Sequence, residues 1–182
     1  MITLNVPTNE DTVRKLTCGD VVSLSGTLYT ARDAAHKKIV DSINKGESIP
    51  FEIDGQGIYY VGPTPNKPGE VIGSAGPTTS YRMDDLTVPL LKKGLRVMIG
   101  KGKRDEKVVN AMIEYGSIYL AAIGGAGAYI SNSIKACEVI AYDELGAEAI
   151  RKIEVENLQL IVAIDSCGNN IYENGRVVYA KN

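Results

Sequence analysis

The spacing of apolar positions along the chain changes period several times, and each change marks an element. "GDVVSLSGTLYTA" (19–31) alternates Val, Leu and Tyr with small or polar residues, the period of two expected of a strand. "RDAAHKKIVDSINKG" (32–46) shifts to helical spacing, with Gly46 as its stop. Further on, "RVMIG" (96–100) predicts a strand, "DEKVVNAMIEYG" (105–116) a helix and "SIYLAAIG" (117–124) a strand. "AGAYISNSI" (126–134) then predicts a short helix and "CEVIAY" (137–142) a strand. Residues 1–16 read as a short extended arm and a polar turn, and "PFEIDGQGIYYVGP" (50–63) as a hairpin. A proline- and glycine-rich loop covers 64–77, and a helix is expected from Thr78 to about Lys93. The tail "LQLIVAIDSCGNNIYENGRVVYA" (158–180) reads as a strand, a turn and a hairpin with glycine at its tip. Strands alternating with helices imply an α/β fold, a mixed sheet with flanking helices and inserted hairpins.

Length and composition narrow this picture. At 182 residues, with no internal repeat, the chain is expected to form one domain over 1–182. A net charge of -2 gives no field for nucleic acid, and low aromatic content, with ten Tyr, one Phe and no Trp, argues against base-stacking platforms. Cys18, Cys137 and Cys167 lie far apart without a CxxC, which argues against both a disulfide framework and a complete metal or cluster site. His36 is the sole histidine, so no metal ligands are assigned to this chain. The longest apolar stretch, "IYLAAIGGAGAYI" (118–130), is too short and too glycine-rich for a membrane span. The first residues lack a basic region followed by an apolar core, so no signal peptide is expected and the cytoplasm is the expected compartment.

Three cations stand at predicted element ends beside small residues, where α/β proteins place ligand groups. Arg32 follows the strand ending at Thr30, Arg82 lies in "GPTTSYRM" (76–83), and Lys101 stands directly after "RVMIG". Taken singly, each is most simply a solvated surface charge. Converging, they would suit a ligand with two carboxylates, because arginine pairs a carboxylate through two parallel bonds. Thr78 and Arg82, four residues apart, share a face if the helix has begun by Thr78, while Thr79 is a candidate helix cap. A threonine hydroxyl beside a bound anion transfers a proton only with an activating partner. Asp33 is placed to cap its helix or to orient Arg32. His36 shares the Arg32 face and is expected to hold a neighbouring backbone group. Tyr29 and Tyr81 are candidate pocket walls, with core packing the simpler role. Gly124 and Gly125 open "GGAGA" (124–128), which matches no nucleotide-loop pattern but whose amides could hold a carboxylate.

"LSGTLYTARDAAHKKI" (24–39), "GPTTSYRMD" (76–84), "VMIGKGKR" (97–104), "YLAAIGGAGAYISNSIK" (119–135) and "ELGAEAIRKIEVENL" (144–158) occur in that order. Together they resemble the β-subunit, or C-terminal domain, of the class I iron–sulfur fumarase and tartrate dehydratase family. The resemblance spans nearly the whole chain and implies a swivelling β/β/α domain. It further implies reversible hydration of fumarate to L-malate at a [4Fe-4S] cluster ligated by a separate α-subunit and not by this chain. By position, Arg32 and Arg82 are then substrate-carboxylate clamps, Lys101 a further substrate contact and Thr78 the catalytic threonine, acting with an acid of the α-subunit. The implied partners are that α-subunit and a C4 dicarboxylate, with no nucleic acid and no membrane, and with self-association left open. Two other readings stand beside this one: an L(+)-tartrate dehydratase β-subunit, and a non-catalytic anion-binding or interaction module.

Overall fold

The computed structural model describes residues 1–122 and 126–173. The chain runs β1 (Ile2–Val6), α1 (Glu10–Val13), β2 (Val21–Thr30), α2 (Asp33–Lys45) and β3 (Gly57–Tyr59). A 3-10 turn, Ser80–Met83, leads into α3 (Asp84–Lys92), followed by β4 (Val97–Gly100), α4 (Glu106–Tyr115) and β5 (Ile118–Ala121). Then come α5 (Gly127–Ser131), β6 (Ile134–Ala141), a second 3-10 segment (Asp143–Glu148) and β7 (Ile150–Ile164). The α/β class and the mixed sheet with flanking helices are as expected.

The seven strands lie in the order β1-β2-β3-β4-β5-β7-β6. Strands β2, β3, β4 and β5 are mutually parallel, and β7 runs antiparallel to β5. Along its other edge β7 also pairs antiparallel with β2, from Val21↔Ile161 to Thr30↔Arg151. That second pairing closes β2, β3, β4, β5 and β7 into a ring, leaving β1 and β6 as attached edge strands.

Alternation along the strands sorts the core into two clusters. Leu24, Leu28, Tyr59, Val97, Ile99, Ile118, Leu120 and Val162 pack together as one. Their alternating neighbours Ile58, Tyr60, Met98 and Tyr119 pack instead with Ala35 and Ile39 of α2, Leu90 and Leu91 of α3, and Val108 and Met112 of α4. Helix α2 ends as the sequence predicts. Gly46 closes α2 in the left-handed region at φ 70, and its amide and that of Glu47 return to the carbonyls of Ile43 and Ser42. Asp105 caps α4 by accepting from the Lys107 amide.

Four expectations change. The N-terminal arm is a strand, because Ile2–Val6 pairs in parallel with Val22–Gly26. Residues 50–63 form no hairpin. Only Gly57–Tyr59 is a strand, flanked in parallel by β2 and β4, while Phe51 and Ile53 are buried as loop residues. β7 begins eight residues before the expected strand at 158, since the ring needs one long strand to span β5, β6 and β2. Of the tail hairpin, Ile171–Glu173 is a helical turn, and 174–180 lies outside the described residues.

Where β1 ends against β2, the chains touch too closely for a side chain. Gly26 has φ 113, and a Cβ there would lie 2.0 Å from the Val6 carbonyl oxygen. Gly26→Ala is therefore expected to cost more than about 3 kcal/mol, from a strained φ plus a backbone clash. Gly46→Ala also has positive φ but faces open space, and is expected to cost about 1 kcal/mol. Urea unfolding of the two variants tests this, and equal losses would contradict the clash.

Candidate functional site

Because β2 to β5 are parallel, their C-terminal ends share one edge of the ring, the usual place for ligand groups in α/β folds. Arg32 leaves the end of β2, the Tyr60–Gly62 segment the end of β3, and Lys101 the end of β4. The segment expected to start a helix at Thr78 is drawn into this edge as extended chain. Thr78 donates its amide to the Tyr60 carbonyl at 2.7 Å, Lys101 donates to the Thr78 carbonyl at 3.3 Å, and Ser80 donates to the Lys101 carbonyl at 2.9 Å. Thr79 and Lys101 thus pair as a parallel bridge. These bonds satisfy backbone groups that a helix would otherwise have used. Thr78 is consequently not in a helix, and the proposed shared helix face with Arg82 does not exist. Thr79 occupies the N-cap position with extended geometry but makes no side-chain cap bond, so its expected capping role is not realised.

The structure still brings Thr78, Thr79 and Lys101 together, with Arg82 one turn further along on the Ser80–Met83 segment. Arg82 and Lys101 are exposed, and Thr78 is half-buried. Among the described residues neither cation is paired with a carboxylate. Tyr81 stands 62% exposed beside Arg82, available to a ligand or partner. Tyr29 is turned elsewhere, stacked on Phe51 with ring centroids 4.0 Å apart.

Arg32 sits on the other side of the Tyr60–Gly62 segment, in a slot. A Cβ at Gly62 would lie 2.8 Å from Arg32 Nη1 and 3.2 Å from the Ala147 carbonyl oxygen, so only glycine leaves room for the guanidinium. Glu148 pairs with Arg32 Nη2 at 3.1 Å through one oxygen and accepts from the Ala34 amide at 3.0 Å through the other. Glu148 therefore orients Arg32 and caps the N-terminus of α2. Asp33 lies 3.9 Å from Arg32 Nη2 and makes no cap bond, so capping, one of its two expected roles, belongs to Glu148. The Arg32 Nε atom is buried without a partner among the described residues. Gly124 and Gly125 lie outside the described residues. Nearby, burial raises the pKa of Tyr59, and its hydroxyl donates to the Ala75 carbonyl at 2.5 Å, anchoring the loop before Thr78.

His36 is fully buried behind Arg32. Its Nδ1 lies 3.0 Å from the Arg32 carbonyl oxygen, so Nδ1 carries the proton, and its ring meets Tyr60 edge-on. This is the backbone-holding role the sequence suggested. Four residues that spacing did not single out complete the buried polar layer. Arg104 pairs with Asp84 at 2.6 Å, and Tyr119 donates to the Gly102 carbonyl at 3.0 Å, leaving its oxygen to accept from Ser80 Oγ at 2.8 Å. Arg104 stands in "VMIGKGKR" and Asp84 in "GPTTSYRMD", but nothing in their separation marks them as partners.

The described residues do not fit an iron–sulfur cluster: no group of three or more His, Cys, Asp or Glu side chains among them could hold a metal ion. Cys18 Sγ lies against the Ala163 carbonyl at 3.5 Å, and Cys137 belongs to the edge strand β6. No helix among the described residues is long and apolar enough to cross a membrane. A cavity of about 650 Å³ lies between the 64–74 loop and the α5–β6 region and touches none of Arg32, Thr78, Arg82 or Lys101.

An α/β protein with candidate ligand groups at one strand edge can now be placed in a family. Residues 1–175 match the fumarase C-terminus family, and the chain belongs to it. A Methanocaldococcus jannaschii protein named "Putative L(+)-tartrate dehydratase subunit beta" is 42% identical over 98% of this chain and 95% of its own length. The aerobic class I fumarate hydratase of Escherichia coli is 40% identical over 84% of this chain, and fumarate hydratase 2 of Leishmania major is 41% identical over 85%. In each of these two the match covers 28% of the relative, so the chain spans under a third of their length.

Burial lowers the His36 pKa from 6.5 to about 4, outweighing the bond to the Arg32 carbonyl. Arg104 adds to the lowering, and Asp33 opposes it. The unfolded chain binds a proton near pH 6.5 that the folded chain refuses until about pH 4. The stability from this group is full above pH 6.5 and falls through that window by about 3 kcal/mol. His36→Asn keeps a donor near the Nδ1 position and should remove this slope. Urea unfolding at pH 7 and pH 4.5 measures it, and an unchanged slope in the variant would assign the acid sensitivity to other groups.

Proposed function

We propose that this chain is the β-subunit of a class I fumarate hydratase, working with a separate α-subunit. The observation that carries the reading is the exposed pair of cations, Arg82 and Lys101, neither paired with a carboxylate among the described residues, beside the half-buried Thr78. A C4 dicarboxylate presents two anionic ends. Arg82 and Lys101 take one end, and Arg32, oriented by Glu148, takes the other. Elimination of water from malate removes a proton from the carbon beside a carboxylate, and negative charge builds on that carboxylate. Cationic donors at that end stabilise the charge. Thr78 stands where the proton is moved, but a threonine hydroxyl is too weak a base alone, so an acid from the α-subunit completes it. In this reading the [4Fe-4S] cluster belongs to the α-subunit, where it would act as the Lewis acid for the departing hydroxide. The cytoplasm is the proposed compartment.

A second reading, the L(+)-tartrate dehydratase β-subunit, is favoured by the near-complete length match to the Methanocaldococcus relative. Co-expression with a cluster-bearing α-subunit, followed by anaerobic assay of malate, fumarate and tartrate, separates the two. The expected result is malate–fumarate interconversion exceeding tartrate dehydration. Turnover of none of these substrates would leave an anion-binding module. In the active complex, Thr78→Ala is expected to lower kcat by about 100-fold with little change in KM. An unchanged kcat would remove Thr78 from proton transfer.

A further inference from the structure

We propose that Arg104 is a positioning residue that sets the Arg82 turn against the Lys101 loop for dicarboxylate binding. The proposal rests on the reading of that face given above. The Arg104 side chain is 0% exposed. Its Nε donates to Asp84 Oδ1 at 2.6 Å and its Nη2 to Thr87 Oγ1 at 2.8 Å. Its Nη1 reaches Tyr60 Oη at 3.3 Å and Met98 Sδ at 3.4 Å. The rings of Tyr60 and Tyr119 stand 5.3 and 5.2 Å from the guanidinium carbon. The second oxygen of Asp84 accepts the Asp105 amide at 2.7 Å. Asp84 and Arg104 thus clamp the first residue of α3 to the loop between β4 and α4.

That clamp sits where it matters. Arg82 is two residues before Asp84, and Lys101 is three before Arg104. A second tie runs from Ser80 through Tyr119 to the Gly102 carbonyl, and Ser80 also donates its amide to the Lys101 carbonyl. Both cation-bearing segments are therefore held from below by one buried polar layer. A buried ion pair adds little net stability over apolar residues of the same size. Arg104 is neutralised by Asp84, so it does not serve as a net charge for the ligand either. What the pair does provide is direction: a planar fork fixes two segments at one spacing, which a lysine cannot reproduce.

The test uses the complex with the α-subunit. Arg104→Lys is expected to raise KM for malate and fumarate at least about tenfold, with a much smaller change in kcat. In the same complex, hydrogen exchange at the Ser80 and Lys101 amides should quicken while the β2 amides keep their protection. Unchanged KM, or protection lost uniformly across the sheet, would overturn the positioning role. Should Arg104→Lys fail to fold, Thr87→Val removes one bond of the fork. It should raise KM about two- to threefold and quicken the same amides, and no change in either would overturn the proposal. If the wild-type complex shows no turnover, the hydro-lyase reading fails. The exchange comparison still decides the Arg104 clamp, because unchanged Ser80 and Lys101 amides in Arg104→Lys would overturn it.

Discussion

The antiparallel pairing of β2 with β7 is the constraint on which the fold depends. Without it the strands would form an open sheet with β7 covering one edge. With it, β2 carries β1 and β3 on one side and β7 on the other, and the sheet closes on itself. Closure separates the alternating side chains into an enclosed cluster and a cluster shared with α2, α3 and α4. It also brings the C-terminal ends of four parallel strands to one edge, so that residues distant in sequence become neighbours. Gly26 and the irregular register between Leu24 and Gly26 show how tightly β1 and β7 must approach β2 to achieve this.

The candidate ligand edge is built in two halves around the Tyr60–Gly62 segment. On one side Arg32 lies in a slot left open by Gly62 and is oriented by Glu148. On the other, Thr78, Lys101 and the Arg82 turn are joined by backbone hydrogen bonds. Tyr60 belongs to both halves, since its ring meets His36 below Arg32 and its hydroxyl meets Arg104 below Lys101. Energetically this buried polar layer is demanding, because a buried polar atom that loses its partner is costly. Such a layer favours one geometry over many.

Identity at about 40% to both fumarate hydratases and a tartrate dehydratase β-subunit places the chain among proteins named for adding or removing water. The difference in covered length is informative in itself. The same domain matches nearly all of one relative and under a third of the others, as expected of a unit that occurs both as a separate chain and within a longer one.

Local pattern alone determined much of this protein. The periods of β2, α2, α4 and β5 and the glycine stop of α2 were all legible, because each depends on residues within one turn or one strand. The candidates Arg32, Thr78, Arg82 and Lys101 were legible as cations and a hydroxyl at element ends, and ordered motifs joined them into a family pattern. Other features were settled only by tertiary contact. Residues 50–56 alternate like a strand yet join no strand of the sheet, since β3 is already flanked by β2 and β4. Thr78 has the sequence of a helix start yet lies extended, because the carbonyl of Tyr60 and the amide of Lys101 offer it better-placed partners. Glu148 with Arg32, and Asp84 with Arg104, are pairs that no spacing rule joins. Charge pairing across a closed sheet depends on which chain segments meet, and sequence separation does not encode that.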